Sequence, residues 1–333
     1  MDSPDYLRTL PTRDLRARVA RTDDAALLQM ARLDCDWHGE NVRALESLQH
    51  EAVEFLPSRV LGKEGLSALL AATPPPDEEW WFVLTGQHPQ MMAGLIGRVL
   101  ARLARQRVRT LYYAFDEASR TMPCFGEIAP YLAVLIHDEL PLAATALAAL
   151  PRHCRVIHRS WVANLVPFAA PFVEHPEGKI IFVGSKLGLT PHRARQIEFL
   201  EEKFRDRFVS VCDHSLSVSD RLALGARFKA GLCPEGRKFT TPAMRHTHTD
   251  RPFWSGCLGL MPVSEDARES GRLDELHRAE LILRYPHGDL AALAAACERA
   301  LGATPASVRR VYEHFNRHET IGTVLAGALA AVA

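Results

Sequence analysis

Short runs of consecutive apolar residues recur along the chain, and most of them end in a polar or charged cluster. Trp80–Thr85 (WWFVLT), Thr110–Phe115 (TLYYAF) and Tyr131–Ile136 (YLAVLI) are three such runs, with Cys154–Ile157 as a shorter fourth. The second half repeats the pattern at Lys179–Val183 (KIIFV), Phe208–Cys212 (FVSVC), Ala230–Cys233, Gly259–Val263 and Leu281–Leu283. Unbroken apolar runs of this length predict strands buried on both faces of a parallel sheet. Between them the spacing turns helical. Met92, Leu95, Ile96, Val99 and Leu103 share one face, as do Ile197, Leu200 and Phe204 after a start at Thr190-Pro191. Further helices are expected up to Leu150, over Leu290–Leu301 and from Pro305 onward. Strands alternating with helices predict doubly wound α/β sheets.

Punctuation divides the chain. Residues 1–73 are charged and read as helical, with no strand pattern, and Pro74-Pro75-Pro76 stop the helix. Pro167, Pro171 and Pro176 mark a connection between two α/β halves. The expected organisation is a helical N-terminal extension (1–76), a first Rossmann-like domain (77–165), a linker (166–178), a second Rossmann-like domain (179–303) and C-terminal helices (304–333).

Composition narrows the class. The chain has 333 residues, enough for two ordinary domains, and is 47% hydrophobic and 24% charged, as soluble globular proteins are. Its 40 basic and 40 acidic residues cancel, whereas a general nucleic-acid binder carries a basic excess. The seven cysteines, at 35, 124, 154, 212, 233, 257 and 297, include no CxxC pair and read as reduced thiols. The N-terminus lacks the apolar core of a signal peptide, and Val324–Ala333 is too short to span a bilayer. A cytoplasmic protein without a transmembrane segment is expected.

In open α/β sheets, ligands bind beyond the carboxyl ends of the strands. In the first half those ends carry His88, Asp116, Glu117, His137, Asp138 and Glu139. In the second half they carry Gly184, Ser185, Lys186, Asp213, His214, Glu235, Gly236, Arg237, Glu265 and Asp266. His88 is a candidate general base, since imidazole titrates near neutral pH, with Asp116 or Asp138 to orient it; Asp138 or Glu139 is the rival base. Gly184 and the helix start after it suit a diphosphate. Lys186, Arg193, Arg237, Lys238, Arg245 and Arg251 are available to neutralise one, and Glu235 to accept from ribose hydroxyls.

Residues 230–266 run strand, loop, short helix, strand, and bring Pro234-Glu235-Gly236, Thr249-Asp250-Arg251 and Pro262-Val263 into sequence. This stretch resembles the C-terminal donor-binding half of GT-B glycosyltransferases, most nearly the exostosin-like group. There, too, an Arg lies eight residues before a Gly that opens a Pro-Val strand, as Arg251 does before Gly259. Phe253-Trp254 and Leu260 depart from that pattern, where the group has an acid and a Cys. The Thr85–Met92 loop (TGQHPQMM) resembles the first-strand loop of plant-type and macrolide-type GT-B enzymes, with Gln87 and Pro89 as departures.

The resemblance implies two Rossmann-like domains facing a central cleft. It implies inverting transfer of a sugar from a nucleotide-diphosphate donor to a glycan, lipid-linked or small-molecule hydroxyl, without cofactor or metal. Gly184, Ser185, Lys186, Arg193, Glu235, Gly236, Arg237, Arg245, Thr249, Asp250 and Arg251 would form the donor site, and His88, Asp116 and Asp138 the catalytic group. Residues 1–73 would extend the acceptor site or form a homodimer contact.

Three other readings stay open: a non-catalytic nucleotide-binding protein, a hydrolase with metal on His246, His248 and Asp250, and the same fold acting on modified DNA, against which the neutral net charge counts. Against the second, Arg251 occupies the position where the HxHxD pattern of metallo-β-lactamases goes on to a further His. Asp34-Cys35-Asp36 has no nucleotide fold before it. No GxGxxG follows a strand and no GxxxxGK[ST] is present, which argues against a dinucleotide dehydrogenase and a P-loop enzyme.

Overall fold

A computed structural model describes residues 5–8, 52–55, 76, 80–85, 96–114, 125–137, 148–159, 162–163, 168–184, 191–211, 218–235, 250–266 and 270–331. The chain is α/β with two sheets, each in its own compact unit: Met1–Ser160 with Leu325–Ala333, and Trp161–Val324.

The first unit carries β1 (Asp5–Arg8), β2 (Ala52–Phe55), β3 (Trp81–Thr85), β4 (Arg109–Tyr113), β5 (Leu132–His137) and β6 (Arg155–His158) in the order β2-β1-β3-β4-β5-β6. The strands β3 to β6 pair in parallel, as their continuous apolar runs predict. Helices α1 (Ile96–Arg105) and α2 (Phe125–Ile128) cover the sheet, and Phe82, Leu84, Leu100, Leu103 and Leu135 meet in its core. Two segments correct the sequence reading. Asp5–Arg8 and Ala52–Phe55 fall in the stretch expected to be helical, yet they form antiparallel strands at the sheet edge. Four residues are too few to show a period; pairing with the distant β3 decides β1, and pairing with β1 decides β2.

The second unit is wholly parallel. Its strands are β7 (Glu177–Val183), β8 (Phe208–Val211), β9 (Phe228–Cys233), β10 (Met261–Asp266) and β11 (Leu283–Pro286), in the order β11-β10-β9-β7-β8. Read from β8, this is the doubly wound order 2-1-3-4-5, whose direction reverses between β7 and β9. Helices α3 (Pro191–Phe204), α4 (Val218–Gly225), α5 (Arg251–Cys257), α6 (Gly271–Arg278), α7 (Leu290–Leu301), α8 (Pro305–His318) and α9 (Ile321–Ala330) complete the fold. Ser270, Asp289 and Thr304 each accept a backbone N–H at the start of α6, α7 and α8, as short oxygen-bearing side chains do at helix N-termini.

The β11 strand begins at Leu283, where the apolar pattern placed a strand over Leu281–Leu283. Leu281 and Ile282 are buried but lie outside the ladder, because apolarity reports burial and not pairing. Cys154, Cys233, Cys257 and Cys297 are free thiols, the last three buried. Among the described residues, no helix is long and apolar enough to cross a membrane.

The helices α5 and α8 pack closely. A Cβ added at Gly256 would fall 2.3 Å from the ring of the fully buried Phe315. Asn316 spans the same contact, donating to the carbonyls of Cys257 and Tyr312 at 2.9 Å each. Gly256→Ala should therefore destabilise the protein by about 1–3 kcal/mol through overpacking. Gly178→Ala, where an added Cβ meets nothing within 4 Å, should stay within about 0.5 kcal/mol of the parent. Urea unfolding of the two variants tests this, and equal midpoints would refute the close approach.

Candidate functional site

The carboxyl ends of β9, β10 and β11 and the first turn of α3 meet around one side chain. Glu265, on β10, is 1% exposed. Parallel pairing sets Glu265 beside Tyr285 and Ser264 beside Cys233, so the residues that follow β9 and β11 arrive at the same level. Glu235, just after β9, donates its backbone N–H to Glu265 Oε2 at 3.0 Å. After β11 the chain turns sharply, and Asp289 N–H donates to the Pro286 carbonyl. Gly288 makes this turn with φ +76°, a left-handed conformation that other residues rarely adopt. Its N–H points at Glu265 Oε1 at 3.2 Å.

Side chains complete the cluster. His192 Nε2 lies 2.6 Å and His287 Nδ1 2.9 Å from Glu265 Oε1. The two imidazole rings lie against each other with centroids 4.3 Å apart. Gln196, one turn beyond His192 on α3, donates to the same oxygen at 2.9 Å, and its own Oε1 accepts from Tyr285 OH at 3.1 Å. Burial, and then the Glu265 carboxyl, hold the Tyr285 phenol well above its usual pKa, so it stays a donor.

Charge gathers beside this cluster. Arg193, next to His192, is 5% exposed, and its pKa is lowered to about 10, first by burial and then by Arg251. Glu235 and Glu265 oppose that shift. Two guanidinium groups and two buried carboxyls thus share the edge of the sheet where its winding reverses.

Of the residues expected from sequence, Arg193, Glu235, Arg251 and Glu265 come together here. Asp250 precedes α5, and its carbonyl accepts from the N–H groups of Phe253 and Trp254. Gly184 lies at the end of β7, where an added Cβ would strike the Phe182 ring at 2.4 Å, so packing alone already demands glycine there. Asp266 pairs with Arg284, away from the Glu265 cluster. In the first unit, His137 at the end of β5 is buried and packs edge-on against His158, its partner on β6. Burial, and then His137, lower the His158 pKa.

His88, Asp116, Glu117, Asp138, Glu139, Ser185, Lys186, Asp213, His214, Gly236, Arg237, Lys238, Arg245, His246, His248 and Thr249 lie outside the described residues. The sequence reading did not single out His192, Gln196, Tyr285 or His287. The strand-end rule would have found His287 had the strand been placed at Leu283–Pro286; Tyr285 and Gln196 carry no signal of their own.

No family model matches the chain and no curated protein matches it. Solved structures with a similar course include HepE from Anabaena in complex with UDP-glucose, at 12% identity and TM-score 0.43 over 71% of this chain and 77% of that one. The catalytic domain of starch synthase IV from Arabidopsis thaliana, bound to ADP and acarbose, is similar at 10% identity and TM-score 0.46 over 85% and 82%. The spinosyn rhamnosyltransferase SpnG is similar at 10% identity and TM-score 0.41 over 96% and 84%. Likeness at this level does not reach the ligand of this chain.

Glu265 holds its neighbours in place, and the variants should rank accordingly. Tyr285→Phe leaves Gln196 Oε1 buried without its donor and should lower stability by about 1–3 kcal/mol. Glu265→Ala removes the common acceptor and should cost about 3–5 kcal/mol. Denaturant unfolding gives both values, and a Glu265→Ala loss no larger than that of Tyr285→Phe would contradict the central role of Glu265.

Proposed function

We infer that the chain is a glycosyltransferase that moves a sugar from a nucleotide-diphosphate donor to a hydroxyl acceptor. What carries this reading is the pair Arg193 and Arg251 at the reversal point of the second sheet, close enough that one lowers the pKa of the other. Like charges held together favour a polyanion between them, and guanidinium groups match phosphate oxygens in pairs. The carboxyl edge at a winding reversal is where nucleotides dock in open parallel sheets.

In this reading Arg193, Arg251, Arg237, Arg245 and Lys186 hold the diphosphate, and Glu235 accepts from ribose hydroxyls. Gly184, Ser185, Gly236, Thr249 and Asp250 line the same donor site. Negative charge builds on the leaving nucleoside diphosphate, so cations already in position stabilise the transition state. His88 takes the proton of the acceptor hydroxyl as it attacks the anomeric carbon, with Asp116 or Asp138 orienting the imidazole. Direct attack of this kind inverts the anomeric centre. The acceptor is a glycan, a lipid-linked glycan or a small metabolite.

Melting curves with UDP, GDP, CMP, TDP and ADP test the donor site. One nucleotide at a hundred times its dissociation constant should stabilise the native state by about 2.7 kcal/mol. Arg251→Ala should abolish that gain, and the matching nucleotide sugar should then release free nucleotide with acceptor present. Silence with every nucleotide sinks the reading. Stabilisation without any turnover reduces the protein to a nucleotide-binding module.

A further inference from the structure

The geometry points to a divalent-cation site formed by His192, Glu265 and His287. It goes beyond the transferase reading and does not depend on it. The three residues offer two imidazole nitrogens and a carboxylate oxygen, all within 4.8 Å of one another. That donor set suits zinc, cobalt or nickel more than magnesium or calcium, which prefer oxygen alone.

With Glu265 ionised, the protons around its Oε1 do not fit together; a proton on Oε1 accepted by His192 Nε2 would satisfy that pair, and a cation takes the place of such a proton. His192 Nε2, Gln196 Nε2 and Glu265 Oε1 form a triangle with sides of 2.6, 2.9 and 2.9 Å. With Glu265 ionised and a proton on His192 Nε2, the imidazole donates to Glu265, and the Gln196 amide N–H group faces another donor. Without that proton, a nitrogen lone pair and a carboxylate oxygen face each other at 2.6 Å. Turning the amide over sets two acceptor oxygens 2.9 Å apart instead. A cation among His192 Nε2, His287 Nδ1 and Glu265 Oε1 removes the conflict. Both imidazole lone pairs then point at the ion, and Gln196 keeps its bond to Glu265.

The surroundings agree with this. Bonds near 2 Å in a tetrahedral centre need donor atoms roughly 3.3 Å apart, so the imidazoles must retreat by about half an ångström. They have the room: the side chains of His192 and His287 are 30% and 48% exposed, and the fully buried carboxyl lies behind them. The ion enters from solvent and keeps open positions for water or an anion. Glu265 Oε2, held by the Glu235 N–H, fixes the carboxyl plane, and the Gly288 turn fixes His287. Such supporting contacts tune metal sites. Glu235 and Glu265 balance Arg193 and Arg251, so the ion's charge is not neutralised locally, and a labile site is expected rather than a permanent one.

Full-length protein stripped with chelator is titrated with Co²⁺ near neutral pH. The visible d–d spectrum is followed, and Zn²⁺ displaces the cobalt. A single site is expected, with the intensity of a four- or five-coordinate ion. His192→Ala and His287→Ala should each weaken it by about 100-fold or more, beyond the effect of losing a supporting contact. His287→Gln gives the same test should an alanine variant lose its fold. His246→Ala with His248→Ala, in the other histidine-rich stretch, should leave the spectrum unchanged. Absence of a cobalt spectrum, its persistence in the His192 and His287 variants, or its loss only in the His246/His248 variant overturns the assignment. None of these readouts involves a nucleotide, so the metal site and the transferase reading stand or fall separately.

Discussion

Burying a carboxyl group is unfavourable by several kcal/mol unless donors converge on it. Glu265 meets that condition with groups from three parts of the second unit: His192 and Gln196 on α3, the end of β9 and the turn after β11. The helix α3 is also held by Ile197, Leu200 and Phe204 in the core, so the contacts matter most after β9 and β11. The β11 strand has four residues, and the turn after it depends on a left-handed glycine. The carboxyl edge of this sheet is therefore ordered from one point.

The same point sets the electrostatics. Arg193 cannot leave the cluster, because α3 fixes its backbone beside His192, and burial and Arg251 both act against its charge. The two acids offset those effects without removing them. The charges of this edge are therefore close to balanced, two guanidinium groups against two carboxyls.

The first unit differs in character. Its strands β5 and β6 end in His137, which is buried, and His158, which is exposed, packed edge-on against each other, and the candidate base, His88, follows β3 in a stretch beyond the described residues. In the proposed reaction the catalytic residues are His88, Asp116 and Asp138, which follow β3, β4 and β5 in the sequence.

Most of the architecture was legible in the residues themselves. The apolar runs placed nearly all of the parallel strands, since a strand buried on both faces must be apolar throughout. The helix over Leu290–Leu301 and the helices from Pro305 onward matched the pattern, because each has a capping residue and a regular apolar face. Glu235 is marked by its place after a strand and Arg193 by its place at a helix start, while Arg251 is marked by its spacing to Gly259 in the resemblance. Three things needed the tertiary structure. The strands Asp5–Arg8 and Ala52–Phe55 are too short for a period; the first exists through pairing with β3 and the second through pairing with the first. The strand order, with its reversal between β7 and β9, is a matter of which neighbours meet, and a chain of similar apolar runs does not encode it locally. The cluster of His192, Gln196, Glu265, Tyr285 and His287 spans almost a hundred residues of sequence, and only parallel register and the first turn of α3 bring those side chains within hydrogen-bonding distance.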